Sequence, residues 1–456
     1  MDSSLLDRRQ LLRLAGLGSG LALLSPLDEL IAANRRRNRK ELRVKTIKVT
    51  PIALPDPPLL AAGGCHGPYF LRAIVELETE EGIVGVGETY GNLENLELLL
   101  DFYPHILDRS VLTYRNFGYG EFALPDRAYT AIEVACLDAI GKATGRRVCD
   151  LLGGPVREEV EFAAYLFFRY AADHPTILDD KRIVDTRGKG DRALDDWGDV
   201  RTPEAMAEMA MKFHKRWGFR VQKLKAGVFT PEMELETLQL INQQFQGKVP
   251  LRIDPNGRWK IETALRIAKQ LKKLPLDYYE DPVAGQAAMG QVRAQTGLRT
   301  STNSCVTSFS DIPEAVTTRP VDVVLCDHHF WGGITACQAL GKIADVMGWE
   351  LSQHSNNHAG ISMSAMIHTA AVTPQLTSAS DTHYPWLIEG ADVIEGPNLP
   401  IKDGKMQIPQ GPGLGVTLDQ DKLARAEETF YKSGMHRRND AETMRRLVPG
   451  WERTLF

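Results

Sequence analysis

The chain has 456 residues, 43% of them hydrophobic and 25% charged, with a formal net charge of −5. That length suits two or three domains rather than one core, in a composition ordinary for a soluble globular protein. It has no basic excess to neutralise phosphates, which argues against nucleic acid as a partner, and its six cysteines form no CxxC pair of the kind that marks a zinc knuckle.

Residues 1–33 read as an export segment. Asp7-Arg8-Arg9-Gln10-Leu11-Leu12-Arg13 resembles a twin-arginine signal, and the apolar run Leu14–Leu24 behind it contains glycines and is short for a bilayer span. This predicts an exported, periplasmic or extracytoplasmic protein with no membrane span in the mature chain. Residues 34–43 read as a basic linker. Val44–Leu54 and Tyr69–Glu78 alternate apolar and polar residues as strands do, and Gly82–Glu88 continues as a glycine-rich strand or hairpin. A mostly helical stretch follows, clearest over Ala128–Thr144 and stopped by Gly145. Residues 44–159 are therefore expected to form an α+β domain.

From Val160 short apolar runs alternate with amphipathic stretches. The predicted strands are Val221–Leu224, Leu251–Ile253, Leu276–Tyr279, Val321–Leu325 and Trp349–Leu351. The predicted helices are Glu204–Trp217, Met233–Gln244, Ile261–Leu274 and Ile334–Met347. Repeated βα units predict an α/β fold whose parallel strands close into a barrel over 160–395. A charged surface insertion is expected at Asp173–Asp199, and 396–456 form a turn-rich, then helical, tail that packs back on the first domain.

Polar residues recur at the expected strand ends. Lys223 and Lys225 are followed by Asp254, Glu280, Asn303, Asp327 and His354 at steps of 29, 26, 23, 24 and 27 residues after Lys225. One βα unit has about that length, since eight units take roughly 250 residues. All these side chains should therefore meet at one mouth. Asp254, Glu280 and Asn303 offer hard oxygen donors that suit Mg²⁺. Lys225 is placed as a base, with Lys223 and the metal expected to draw its pKa towards neutrality. Asp327 can hold His354 in one tautomer as a second acid/base.

Taken together, Lys223-Leu-Lys225-Ala-Gly, Asp254-Pro-Asn256-Gly257, Glu280-Asp281-Pro282, Thr302-Asn303, Asp327-His-His-Phe-Trp331 and His354-Ser-Asn-Asn-His358 resemble the glucarate dehydratase branch of the enolase superfamily, of the mandelate racemase/muconate lactonizing enzyme type. Sites of this superfamily use a lysine or histidine base with Mg²⁺. The resemblance implies an α+β capping domain over a modified (β/α)₇β TIM-like barrel, and a hydro-lyase that takes a small-molecule acid sugar to a 2-keto-3-deoxy acid. It implies Lys225 as base, Lys223 as electrostatic helper and the His354–Asp327 pair on the other side. It places His66, Tyr165, Asn256, Asn356, His383 and Arg438 on the substrate, and a homo-oligomeric assembly is expected. A racemase or epimerase would use the same lysine and histidine, and a silent exported sugar-acid binding protein remains a third reading. Two positions depart from the branch. Ala61 stands where an asparagine is expected five residues before His66, predicting altered recognition at the substrate's far end. Gln286 stands where an additional glutamate is expected, which leaves the third metal ligand to Glu280.

Overall fold

Alternation and glycine placement build the first sheet. The computed structural model describes residues 41–118, 124–184 and 195–456. The export segment and most of the linker lie outside these residues, as does part of the Asp173–Asp199 insertion. Leu42 is already buried in the core, so the compact unit runs from Leu42 to Phe456. Strands β1 (Val44–Pro55), β2 (Tyr69–Thr79) and β3 (Val84–Tyr90) pair antiparallel in the order β1-β2-β3. Helix α1 (Asp126–Thr144) packs on this sheet and ends at Gly145 in the left-handed conformation. Gly82 makes the turn, but Gly85 and Gly87 serve packing. A Cβ on either would lie 2.0 Å from a carbonyl oxygen of α1, Ala135 O or Ala131 O, so only glycine lets the helix approach this closely.

The second sheet has seven parallel strands in chain order: β4 (Ala164–Phe167), β5 (Gln222–Lys225), β6 (Leu251–Asp254), β7 (Leu276–Glu280), β8 (Thr300–Thr302), β9 (Val323–Leu325) and β10 (Glu350–Ser352). Helices α2 (Pro203–Trp217), α3 (Pro231–Gln244), α4 (Ile261–Leu271), α5 (Gln286–Thr296), α6 (Ile312–Thr318), α7 (Ile334–Met347) and α8 (Gly360–Val372) follow the strands in turn. Thr202 and Thr230 cap α2 and α3, each followed by a proline at the first helical position. The segment after α8 closes the ring. Leu376 bridges Leu351 of β10, and Ser380 bridges Phe162 ahead of β4. The result is the closed βα barrel that the spacing predicts, in the capped, modified (β/α)₇β form that the resemblance implies.

The C-terminal tail returns to the first sheet. Helix α9 (Gln420–Ser433) packs on β1, and Gln420 Nε2 donates to Glu76 at 2.8 Å. Helix α10 (Asp440–Leu447) is capped by Asn439 and lies against the capping loop around Gly64. Among the described residues no helix is long and apolar enough to cross a membrane. All six cysteines are free thiols.

Candidate active site at the barrel mouth

Parallel register brings the strand-end side chains together. Tyr165 is opposite Lys223 and Lys225 is opposite Asp254, so aromatic, cationic and anionic groups line neighbouring strands at one end of the barrel. Lys223 and Lys225 share a face, as residues two apart on a strand must.

The lysines are held by carboxylates. Lys225 Nζ donates to Asp254 Oδ2 at 2.5 Å. Lys223 Nζ donates to Glu280 Oε1 at 2.7 Å and to Asp381 Oδ2, and lies 4.6 Å from the centre of the Tyr165 ring. Burial alone would lower the pKa of both lysines. The carboxylates outweigh it: Asp254 for Lys225, Asp381 and Glu280 for Lys223, so both are raised. In the protein alone, direct contact with the Asp254 carboxylate outweighs the repulsion from Lys223 and holds Lys225 up, whereas the expected fall towards neutrality includes the charge of a bound metal.

Asp254, Glu280 and Asn303 end β6 and β7 and follow β8 directly, and all three are buried. The carboxylates of Asp254, Glu280 and Asp281 bring one oxygen each within 4.8 Å of one another. Lys223 Nζ is 2.6 Å from Glu280 Oε2, yet that oxygen receives no directed hydrogen bond. Converging, buried, hard oxygen donors with an orphaned carboxylate oxygen fit a Mg²⁺ ion. Asp281 is a site residue that the spacing of strand ends does not mark. Its carboxylate accepts from Asn303 N at 2.9 Å, from Ser304 Oγ at 3.0 Å and from Thr302 Oγ1, so it fixes the loop that carries Asn303. Burial pushes its carboxyl up to about 6, helped by the nearby Asp254 charge. Gln286 turns elsewhere, donating to Asp311 O at 3.0 Å and accepting from Thr318 Oγ1 at 3.2 Å.

On the other side of these strands His354 Nδ1 donates to Asp327 Oδ2 at 2.8 Å. This fixes the proton on Nδ1 and leaves Nε2 for chemistry. Phe330 stacks on the His354 ring at 5.1 Å between centroids.

The substrate-side candidates fall into two groups. His383 packs edge-on to Tyr165 at 4.8 Å and parallel to His66 at 6.2 Å. Its Nδ1–H donates to Ser355 O at 2.9 Å. Burial holds the His383 pKa well below the usual imidazole range, reinforced by His66 and His354. Asn356, Tyr90, Arg72, Arg438 and Asp440 line a cavity of about 420 Å³. Asn356 Nδ2 donates to Tyr90 Oη at 3.1 Å, and Arg438 donates to Asn357 Oδ1 at 2.8 Å while pairing with Asp56 and Asp440. Asn256 acts through its backbone. At φ +55° it turns the chain, and its N–H donates to Asp254 Oδ1 at 2.9 Å. Ala61 lines a separate cavity of about 280 Å³ with Tyr170, Phe229 and Trp451, and is not among the residues lining the one beside Asn356 and Arg438.

Asp381 is the other residue to which strand-end spacing assigns no role. It anchors Lys223, and Arg252 Nη1 approaches its second oxygen at 3.6 Å. The signal that could have found it is its place in Asp381-Thr-His383, two residues before the candidate His383.

Known proteins resemble this chain in sequence and fold over nearly its whole described length. Residues 205–422 match the family model described as Enolase C-terminal domain-like. A probable glucarate dehydratase of Streptomyces coelicolor is 40% identical over 439 residues, covering 90% of this chain and 98% of that one. An enolase from Thermobispora bispora, complexed with magnesium and formate, superposes with a TM-score of 0.82 at 40% identity, covering 90% of this chain and 98% of that one. One from Pseudomonas fluorescens, with bound magnesium, potassium and tartrate, gives 0.82 at 37% identity, covering 91% and 98%.

Proposed function

Because the chain belongs to the enolase superfamily, in its glucarate dehydratase-like branch, we propose that it is a Mg²⁺-dependent hydro-lyase that dehydrates an aldonic or aldaric acid to a 2-keto-3-deoxy acid. The observation that carries the reading is the pairing of two acid/base groups around one oxygen cluster: Lys225 against Asp254 at 2.5 Å, and His354 against Asp327 at 2.8 Å. Asp254, Glu280 and Asn303 would hold the ion, with Asp281 positioning the Asn303 loop. When bound, Mg²⁺ supplies positive charge that favours loss of a proton beside the substrate carboxylate. Lys225, acting as the neutral amine, takes that α-proton. His354, entering protonated on both nitrogens, gives its Nε2 proton to the departing β-hydroxyl while Nδ1–H stays on Asp327. Lys223, tied to Glu280 and Asp381, adds fixed positive charge beside the base. The aromatic wall of Tyr165, Phe167, His383 and His66 shields this chemistry from water, and the cavity beside Asn356 and Arg438 receives the far end of the acid.

A stereochemically complete library of acid sugars, glucarate included, incubated with Mg²⁺ and assayed for keto-acid tests the reading. At least one member is expected to give product with loss of water. A library that yields only epimerised acid would place the protein among racemases instead, and a library that is bound but unchanged would leave only a binding function.

We also propose export through the twin-arginine route, on the strength of Arg8-Arg9 ahead of the apolar run Leu14–Leu24. Fractionation of cells carrying Arg8→Lys with Arg9→Lys is expected to find the protein retained in the cytoplasm. Equal partition of variant and parent would refute export by this path.

A further inference from the structure

Behind the His354–Asp327 pair runs a chain of buried groups that the reaction above does not use. Asp327 Oδ2 receives His354, and its other oxygen, Oδ1, receives two donors from His329, the backbone N–H at 2.8 Å and the ring Nδ1 at 3.0 Å. On the far side of the His329 ring, Nε2 lies 2.9 Å from Arg72 Nη2. Arg72 belongs to β2 of the capping sheet, and its Nε donates to Glu88 of β3 at 2.6 Å. Glu88 is fixed in turn by the backbone N–H groups of Ala359 and Ser362 at 3.0 and 2.7 Å. Every member is buried, with Arg72 and Glu88 each 1% exposed and His329 fully covered.

The direction of these bonds is fixed by chemistry. A guanidinium only donates, so His329 Nε2 must accept. Ser362 Oγ, 3.0 Å from the same nitrogen, itself accepts from Arg72 Nη2 and has its own hydrogen to give, so it leaves Nε2 an acceptor too. The single ring proton of His329 therefore sits on Nδ1, donated to Asp327.

We propose that Arg72 and His329 are positioning residues through which the capping sheet keeps His329 neutral and so reserves the charge of Asp327 for His354. Were His329 to become an imidazolium, it would compete as the ion-pair partner of the one carboxylate on which His354 depends. The remaining groups packed on His329 add no competing anion. The His328 and His358 rings pack tilted against it at 4.0 and 5.0 Å between centroids, and the Tyr90 ring lies at 5.4 Å. Arg127 lies over the Tyr90 and Phe330 rings. Burial and the Arg72 charge both press His329 towards its neutral form against the pull of Asp327 and, more weakly, of Glu88. This inference rests on the proposed role of His354, and its test is built to separate the two.

Neither His329→Asn nor His329→Leu can become cationic, but His329→Asn keeps a side-chain N–H to face Asp327 whereas His329→Leu leaves that carboxylate oxygen without its ring donor. His329→Asn is expected to dehydrate the best library substrate within about threefold of the parent. His329→Leu is expected to lose roughly tenfold or more in kcat with little change in KM, as loss of a hydrogen bond to a charged group implies. It should also retain Lys225-driven exchange of the α-proton with solvent deuterium, because only the His354 side is disturbed. A purely structural role would lower thermal stability without this split. Parent-like kcat in His329→Leu, or an equal fall in His329→Asn, overturns the proposal. Should His329→Leu fail to fold, ¹⁵N-histidine spectra of the unsubstituted protein decide the matter without any substrate. His329, assigned by its missing signal in His329→Asn, is expected as the neutral Nδ1–H ring at neutral pH, and in Arg72→Gln with Glu88→Gln it is expected to take up its second proton at a higher pH than in the parent. A cationic or Nε2–H ring in the parent, or no change in the double variant, overturns the proposal whatever the protein's substrate proves to be.

Discussion

Asp254→Ala is expected to abolish Mg²⁺ binding and turnover together. The Asp254 carboxylate is fully buried at the end of β6 and belongs to both halves of the site: it holds Lys225 at 2.5 Å and shares the oxygen cluster with Glu280 and Asp281. Removing it deletes a hard donor from the cation site and leaves Lys225 without its carboxylate. Charge stabilisation by a catalytic ion is worth several kcal/mol, and each 1.36 kcal/mol is tenfold in rate, so a loss of about a thousandfold or more is expected. Breaking one partner out of a buried ion pair also destabilises the fold, by about 3–5 kcal/mol. Asp254→Asn, nearly isosteric, separates the effects by retaining more stability while still losing most of the affinity for the ion. Calorimetric titration with Mg²⁺ and kcat measured after chelation and re-addition provide the check. Full turnover by the parent in excess chelator, or parent-like Mg²⁺ affinity in Asp254→Ala, would sink the metal assignment.

Why this site is legible in the sequence, and where legibility stops, follows from what sets each position. The strand-end residues are fixed by local rules. Period two aligns Lys223 with Lys225, and the length of a βα unit carries Asp254, Glu280, Asn303, Asp327 and His354 to the same mouth. Helix Ile334–Met347 is readable to the residue because an apolar stripe ends at Gly348 in the left-handed conformation. The strand Thr300–Thr302 is not, since three small polar residues carry no apolar alternation and are held only by neighbours on both sides. The segment Leu376–Asp381 closes the barrel through isolated bridges, and so Asp381 gives no strand signal although it anchors Lys223. The charge state of Lys225 depends on how closely Asp254 approaches across the register, which no spacing reveals. Arg72, on a strand of the capping sheet, and His329, in the helical turn His328–Trp331 after β9, meet across 257 residues. Contacts of that kind are made by the assembled fold, and only the fold displays them.

Lys225 and His354 are expected to fail in different ways when replaced, because they stand on the two sides of the oxygen-bearing strands and handle different protons. Lys225 ends β5, one strand before Asp254, whereas His354 follows β10, one strand after the Asp327 that orients it. Lys225→Met should therefore lose both dehydration and exchange of the α-proton, since the neighbouring amine, Lys223, is fully buried and engaged by Glu280 and Asp381. His354→Asn should lose dehydration but keep exchange, because Lys225 can still remove and return the α-proton while no acid is available for the β-hydroxyl. Loss of a general acid or base costs roughly a hundredfold to ten-thousandfold, so each variant should fall at least about a hundred times below the parent in keto-acid formation. Incubation in D₂O, with deuterium at the α-carbon read by NMR beside product release, distinguishes the two. Exchange surviving in Lys225→Met and vanishing in His354→Asn would swap the roles. Both variants dehydrating at the parent rate would remove these residues from the chemistry, and with them the proposed mechanism.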